Sequence, residues 1–338
     1  MHYLKRLFIF FIFHFLSFPI IAFTLDDVKN RGSLNCGISE IRVGFADIDS
    51  DNIWIGFDVD MCRAVAAAIF SDSNQVNFIS TTSRSRFPLL ASGEIDLLSR
   101  MTTWTFSRDV NLGFEFAGIN FYDGQGFMYK SELGIQTPND LNGATICIIE
   151  GTEMAFNINS FFNKNILTYQ SIPVEFDDEA FESFNSGRCD IYSNYITELA
   201  NKRIAFNKPD NYSIYPEMIS KEPLGPVVRH GDDQWRDVVS WCLKVMILAE
   251  ELNITSKNID DFLDSDNNEI LRLLGMVGAY GDMIELDEKW AYYIIKHVGN
   301  YSEVFNKNLG PETRLNLNRG LNRLYIDGGL LYSPPSDR

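Results

Sequence analysis

The sequence predicts an α/β protein of two similar lobes, each a doubly wound sheet with helices on both faces. Three observations carry this. The first is an internal echo: Phe87-Pro-Leu-Leu-Ala-Ser-Gly-Glu-Ile-Asp-Leu-Leu-Ser99 and Phe181-Glu-Ser-Phe-Asn-Ser-Gly-Arg-Cys-Asp-Ile-Tyr-Ser193 share Phe, Ser-Gly, Asp, an aliphatic residue and Ser at identical spacing. The second is the alternation of strand-like and amphipathic runs around each copy. The third is size: 338 residues with 45% apolar positions and 26 Phe exceed what one core needs.

The first half reads as a strand over 33–39, a helix over 58–70, a strand over 76–81, a helix over 84–92 and a strand over 95–99. Val59, Cys62, Ala66 and Ile69 recur at helical spacing on one face. Gly93 can take the left-handed conformation that ends the helix before it. The second half repeats the order with a strand over 144–150, a helix over 153–163, a strand over 172–176, a helix over 178–186 and a strand over 190–193, and Gly187 repeats the part of Gly93. Strands separated by helices pair in parallel. Ligands in such sheets sit beyond the carboxyl ends of the strands. The loops 37–42, 100–108, 150–153 and 193–195 are therefore expected to surround one site. From about residue 223 the chain is helical in character to roughly residue 308, and a Gly-, Pro- and Asn-rich tail follows.

Before the first element, Lys5 and Arg6 precede an apolar run from Leu7 to Phe18, with Ala22 shortly after. This is the pattern of a secretory signal over 1–22. The run is shorter than the roughly 20 residues a spanning helix needs, so the remainder is expected to be exported and not embedded in a membrane. The formal charge of the whole chain is −17, and loss of Lys5 and Arg6 leaves −19. Such a surface repels a phosphate backbone, which excludes nucleic-acid binding by general electrostatics.

Export favours paired thiols. A helix packed on the strand before it would bring Cys62 to Cys36, and the corresponding pair in the second half is Cys147 with Cys189; Cys242 is left over. Five cysteines can make two bridges in about fifteen ways, so other pairings stay open. No two cysteines have zinc spacing, and only His230 and His297 remain after signal removal. Asp47, Asp49 and Asp51, and again Asp264, Asp266 and Asn268, resemble the start of a calcium loop, but Asn52 and Glu269 stand where that loop needs glycine. No metal or cofactor is expected.

There is no Gly-x-Ser-x-Gly, no His-Glu-x-x-His and no phosphate-cradling loop. Binding chemistry is better represented. The loop Arg100-Met-Thr-Thr-Trp-Thr-Phe-Ser-Arg108 offers two arginines, hydroxyls and the Trp104 indole at a strand end. A guanidinium there can grip a carboxylate bidentately, although, taken in isolation, an Arg-Asp dipeptide such as Arg108-Asp109 is more often a surface ion pair. Glu150-Gly-Thr-Glu153 opens a helix whose free amides favour an anion, and Thr152 can serve as its cap.

These residues bring a family into view. The chain resembles the periplasmic solute-binding proteins of amino-acid ABC importers, specifically the general L-amino-acid-binding branch, from Thr24 to about Pro335. The resemblance rests on Gly56-Phe-Asp-Val-Asp60, Tyr122-Asp-Gly-Gln-Gly-Phe-Met128, Ser220-Lys-Glu-Pro-Leu-Gly-Pro226 and Arg229-His-Gly-Asp-Asp-Gln-Trp235. It implies a type II binding-protein fold divided into 23–122 (lobe one), 123–126 (crossing), 127–214 (lobe two), 215–222 (crossing) and 223–338 (return to lobe one with an extension). It further implies a periplasmic monomer that captures an amino acid or related carboxylate and hands it unchanged to a permease.

By that resemblance Arg108 grips the ligand α-carboxylate, Thr103 assists, and Thr152 belongs to the helix-opening Gly-Thr. The pocket departs from the family pattern elsewhere. Tyr195 stands where an aspartate holds the α-amino group, Glu153 replaces a small hydroxyl residue, Arg42 replaces an apolar or aromatic side chain, and Met101 replaces a polar one; Arg100 adds positive charge beside them. One resolution is that Glu153 receives the ammonium from the other side. Two other readings stay open: a sensory or interaction protein that kept the fold, and a dehydratase-like enzyme with Glu153 as its acid.

Overall fold

The computed structural model describes residues 23–82, 84–149, 153–175 and 177–335, with only the backbone of Glu153; the expected signal segment 1–22 lies outside them. In chain order, α1 (Thr24–Arg31) leads to β1 (Leu34–Ser39), the hairpin β2 (Asp47–Ile48) and β3 (Trp54–Ile55), α2 (Phe57–Phe70), β4 (Val76–Thr81), α3 (Arg86–Ser92), β5 (Leu97–Leu98), α4 (Phe106–Asn111), β6 (Phe114–Phe116) and β7 (Phe121–Asp123). There follow β8 (Gln125–Lys130), β9 (Thr145–Ile149), α5 (Glu153–Lys164), β10 (Gln170–Val174), α6 (Asp177–Asn185), β11 (Ile191–Tyr195), α7 (Ile196–Ile204), β12 (Tyr212–Ile214), β13 (Glu222–Leu224), β14 (Val227–Arg229) and α8 (Asp233–Glu251).

Two five-stranded sheets have the same plan, β4-β1-β5-β14-β6 and β10-β9-β11-β8-β12. In each, three parallel strands are extended by two more through successive antiparallel pairings. The fold class is thus that of two α/β lobes, with the parallel set where the strand–helix alternation put it. The added strands β14, β6, β8 and β12 are not part of that alternation and arise from pairing between segments distant in the chain.

Side chains alternate across each sheet, as a period of two requires. Phe127, Tyr129, Ile146, Ile148 and Ile191 enter one cluster of the second lobe, and Met128, Cys147 and Tyr192 enter the other. In the first lobe Leu97 and Val228 face the large helical core, and Leu98 and Val227 face a smaller one. Cys36 on β1 is bonded to Cys62 on α2 with Cα atoms 6.1 Å apart. Cys147 on β9 is bonded to Cys189 with Cα atoms 5.7 Å apart.

The echo has a structural meaning. Its aspartate closes the same gap in both lobes: Asp96 accepts from the Asn35 amide at 2.8 Å, and Asp190 accepts from the Thr145 amide at 2.9 Å. Each carboxylate ties the start of the third parallel strand to the start of the first. Asp96 also pairs with Arg31, and its carbonyl takes the buried Trp235 indole N–H at 2.9 Å, which seats α8 on the first lobe. The calcium-like turn has an ordinary explanation, because Asp49 caps the β2–β3 hairpin by accepting from the Asp51 and Ile53 amides.

Between the sheets lies a two-stranded antiparallel ribbon, β7 with β13, in which Glu222 faces Asp123 and Leu224 faces Phe121. β7 continues into β8 through Gly124. The ribbon is held from the C-terminal tail, where the Asn322 side chain accepts from the Tyr122 amide at 2.7 Å and donates to its carbonyl at 3.0 Å. The tail is anchored in turn by Arg319, which donates to both Glu250 carboxylate oxygens on α8 at 3.0 and 3.1 Å.

Candidate functional site

The carboxyl ends of the parallel strands converge, with the ribbon, on a cavity of about 160 Å³ lined by Ser39, Arg42, Arg100, Met101, Thr103, Asp123, Tyr195, Glu222 and Leu224. A larger, apolar cavity of about 260 Å³ lies among the C-terminal helices, walled by Trp241, Tyr280 and Trp290, away from any strand end.

The first wall begins with α2. Gly56 opens that helix at φ +135°, a conformation that L side chains rarely adopt, with the Phe45 carbonyl where a Cβ would stand. That close approach lets Asp58 turn inward from the first helical turn. Its carboxylate accepts from Ser99 Oγ at 3.3 Å and from the Met101 amide at 3.1 Å. Burial pushes the Asp58 carboxyl up to about 7, against the opposing pull of Ser99, Met101, Arg100 and Arg42. Met101 is held at φ +42°, a left-handed conformation uncommon for a non-glycine residue, and the Asp58 bond pins it there. The sequence alone gave no sign of this constraint.

Arg100 donates from Nε to the Thr81 carbonyl at 3.1 Å, and burial lowers its basicity. Arg42 reaches across to the second lobe: its Nη1 lies 3.0 Å from Glu198 Oε2 in the first turn of α7, with the side chains 38% and 20% exposed. Ser39, at the end of β1, is 5% exposed, and among the described residues its hydroxyl has no hydrogen-bond partner.

The floor is the ribbon. Asp123 Oδ2 accepts from Thr197 Oγ1 at 2.6 Å, and Oδ1 accepts from the Gly124 amide at 2.8 Å. Burial pushes its carboxyl up to about 6, and the Glu222 charge adds to the rise. Glu222 Oε2 accepts from Thr103 Oγ1 at 2.9 Å. The loop carrying Thr103 extends the ribbon through the Trp104 amide, which donates to the Pro223 carbonyl at 2.7 Å. Gln125, fully buried, ties the second lobe together by bonding Ser193 Oγ, the Met154 carbonyl and Asn157, which fixes the start of α5 relative to β8 and β11.

Of the residues singled out in the sequence, Arg42, Arg100, Met101, Thr103 and Tyr195 share the cavity. Two others stand elsewhere. Trp104 turns away, its ring stacked on Phe116 with centroids 5.1 Å apart, because the apolar cluster behind β5 offers the indole more burial than the cleft does. Arg108 lies over the Phe87 ring at 6.0 Å and donates from Nη1 to the Thr103 carbonyl at 2.7 Å, so it braces the loop and does not line the cavity. Thr152 and the Glu153 side chain lie outside the described residues. Ser39, Asp123 and Glu222 were missed. The runs containing Asp123 and Glu222 were legible as crossings, and pairing one crossing with the other would have exposed them.

Comparison with known proteins gives one consistent result. The sequence profile of the bacterial extracellular solute-binding proteins, family 3, matches residues 34–259. The chain is 46% identical over 315 residues, 93% of each chain, to the glutamate/glutamine/aspartate/asparagine-binding protein BztA of Rhodobacter capsulatus. It is 45% identical over 316 residues, again 93% of each, to the general L-amino acid-binding periplasmic protein AapJ of Rhizobium johnstonii. Among solved structures, an ABC transporter periplasmic binding protein from Brucella ovis with glutathione bound superposes with a TM-score of 0.81 at 46% identity, covering 93% of this chain and 99% of that one.

Proposed function

The chain belongs to family 3 of the bacterial extracellular solute-binding proteins, and on that premise we propose that it is the periplasmic substrate-binding component of an amino-acid ABC importer. It captures a small amino-acid-like solute between its lobes and delivers it, chemically unchanged, to the permease. The relatives that span 93% of the chain are binding proteins and not enzymes, which supports capture without turnover. The observation that carries the reading is the cavity itself, where strand-end residues of both lobes meet the ribbon that joins them and guanidinium groups and carboxylates share one lining. A zwitterion matches that pattern.

The ribbon β7–β13 supplies the hinge in this proposal, with lobe one formed by 23–122 and 223–335 and lobe two by 127–214. A two-strand connection is easily twisted while each sheet stays rigid. The Arg42–Glu198 contact then belongs to the closed arrangement. Thermal unfolding of the mature chain with each proteinogenic L-amino acid and with glutathione tests the function. A ligand at a hundredfold excess over its dissociation constant adds about 2.7 kcal/mol of stability, a rise of several degrees in Tm. No rise with any of them overturns the proposal.

A further inference from the structure

Resting on the reading that the lobes close about the ribbon, we propose that the C-terminal segment past residue 259, where the family profile ends, is a brace for the hinge. Through Asn322 it fixes β7 to lobe one, so the twist of the connection is taken at its lobe-two end, at Asp123–Gly124 and at Lys221, and not along the paired strands.

The two crossings divide by their hydrogen bonds. On the lobe-one side the buried Asn322 side chain holds both backbone groups of Tyr122, at 2.7 and 3.0 Å. Just before it, the Asn120 carbonyl accepts from the buried Tyr301 hydroxyl at 2.8 Å. The returning crossing is tied to the same lobe, by the Trp104 amide on the Pro223 carbonyl at 2.7 Å and the Gly225 amide on the Thr102 carbonyl at 3.1 Å. Past Tyr122 the partners belong to lobe two. The Gly124 carbonyl accepts from the Ile196 amide at the start of α7 at 2.9 Å, and the Gln125 carbonyl accepts from the Ile219 amide at 2.7 Å. The Gln125 amide donates to Ser220 Oγ at 3.0 Å. Between these two sets stand Asp123, whose side chain reaches α7 through Thr197, and, on the return, the exposed Lys221. A hinge needs only a few residues to absorb the change in backbone angles. Gly124 fits the part by size, because a Cβ there would meet the Ser220 carbonyl at 2.7 Å and Met218 Cβ at 2.8 Å, so the crossings run too close for a side chain.

Arg319 carries the brace. Besides its bonds to Glu250 on α8, it donates from Nε to the Asn322 carbonyl at 2.7 Å and lies over the Tyr301 and Phe305 rings at 5.1 and 5.2 Å. One side chain thereby joins α8, Tyr301 and the residue that grips β7. A two-stranded ribbon alone is marginally stable in water, and Asn322 supplies on its outer edge the pair of bonds that a third strand would give. Leu315, on the same segment, accepts from Arg203 Nη2 of α7 at 3.3 Å, a long bond that opening of the lobes can release. A stiff ribbon confines opening to one route, and the lifetime of a captured solute depends on it.

The test uses the mature chain, with the proteinogenic L-amino acid that binds most tightly by calorimetry as the ligand. Crystal structures with and without it should differ in the backbone angles of Asp123, Gly124 and Lys221, while both Tyr122–Asn322 bonds persist. In stopped-flow measurements Asn322→Ala should speed ligand dissociation about tenfold and change association by no more than about twofold. Tyr301→Phe, which keeps the ring under Arg319 and removes one bond, should speed dissociation about threefold, and it carries the comparison alone if Asn322→Ala does not fold. A residue that merely supports the fold would lower the urea midpoint and leave dissociation unchanged. That result, a rotation spread along residues 119–122, or a Tyr122–Asn322 pair broken in either crystal structure overturns the inference while the functional reading stands. Absence of binding by every amino acid overturns the functional reading and the inference with it.

Discussion

Replacing Asp123 with Asn isolates the energetic consequence of placing a carboxylate in the ribbon. Its pKa rises from 3.8 to about 6 on folding, because burial and then the neighbouring Glu222 disfavour the charged form more than Thr197 and the Gly124 amide favour it. The sign follows directly. Between the two values the unfolded chain has lost its proton and the folded chain has kept it, so wild-type stability falls as pH rises through that window and is level above about 6. Integrating the linkage relation from pH 4.5 to 7.5 gives about 2 kcal/mol lost by wild type and not by the variant. Asparagine keeps the shape and an acceptor for Thr197. Asp58, whose carboxyl is pushed up to about 7, titrates in both proteins and cancels in the difference. Urea unfolding of both proteins at the two pH values, without ligand, is the assay. The variant's stability relative to wild type should improve by about 2 kcal/mol at the higher pH. A difference that does not change with pH refutes the claim that burial holds the Asp123 carboxyl above its ordinary range.

Other outcomes follow from the same structure. Arg42→Ala and Glu198→Gln each remove an ion pair that is partly exposed and so worth roughly 0.2–1 kcal/mol. Each should shift the ligand-free chain toward the open form by no more than about fivefold, visible as a larger radius of gyration in solution scattering; an unchanged radius denies the pair a closing role. Removing the Cys147–Cys189 bond, which closes a separation of 42 residues, should lower stability by about 4 kcal/mol in the chain-entropy account, slightly more than removing Cys36–Cys62 with its separation of 26. A loss below about 1 kcal/mol in urea contradicts that account. Cys242 is buried and its thiol is pushed well above the usual range, so a thiol reagent should modify it only after denaturation. Labelling of the native chain would show that α8 opens.

Much of the fold could be read in the sequence because its signals are local. The strand–helix alternation and the two Ser-Gly turns gave the parallel strands of both sheets, and the echo aspartates turned out to join the same two strands in each lobe. The short strands β14 and β6 and the crossing strand β8 carried no such signal, since three to six residues in length show no periodicity and their pairing is decided by partners distant in the chain. The site divides the same way. Arg42, Arg100, Met101 and Thr103 sit at strand ends and were found there. Asp123 and Glu222 look like ordinary acidic residues until the ribbon aligns them, and Trp104 looked like a pocket aromatic until Phe116 was placed behind it. Ser39 stands out only because its hydroxyl has no partner among the described residues.

Equilibrium dialysis of the mature chain against each labelled proteinogenic L-amino acid and glutathione, with mass analysis of the retained and free pools, tests the central claim most directly. Capture by this cavity predicts saturable retention of at least one solute, one molecule per chain, recovered unchanged from both pools. Failure to retain any of them, or a new product in the free pool, contradicts it.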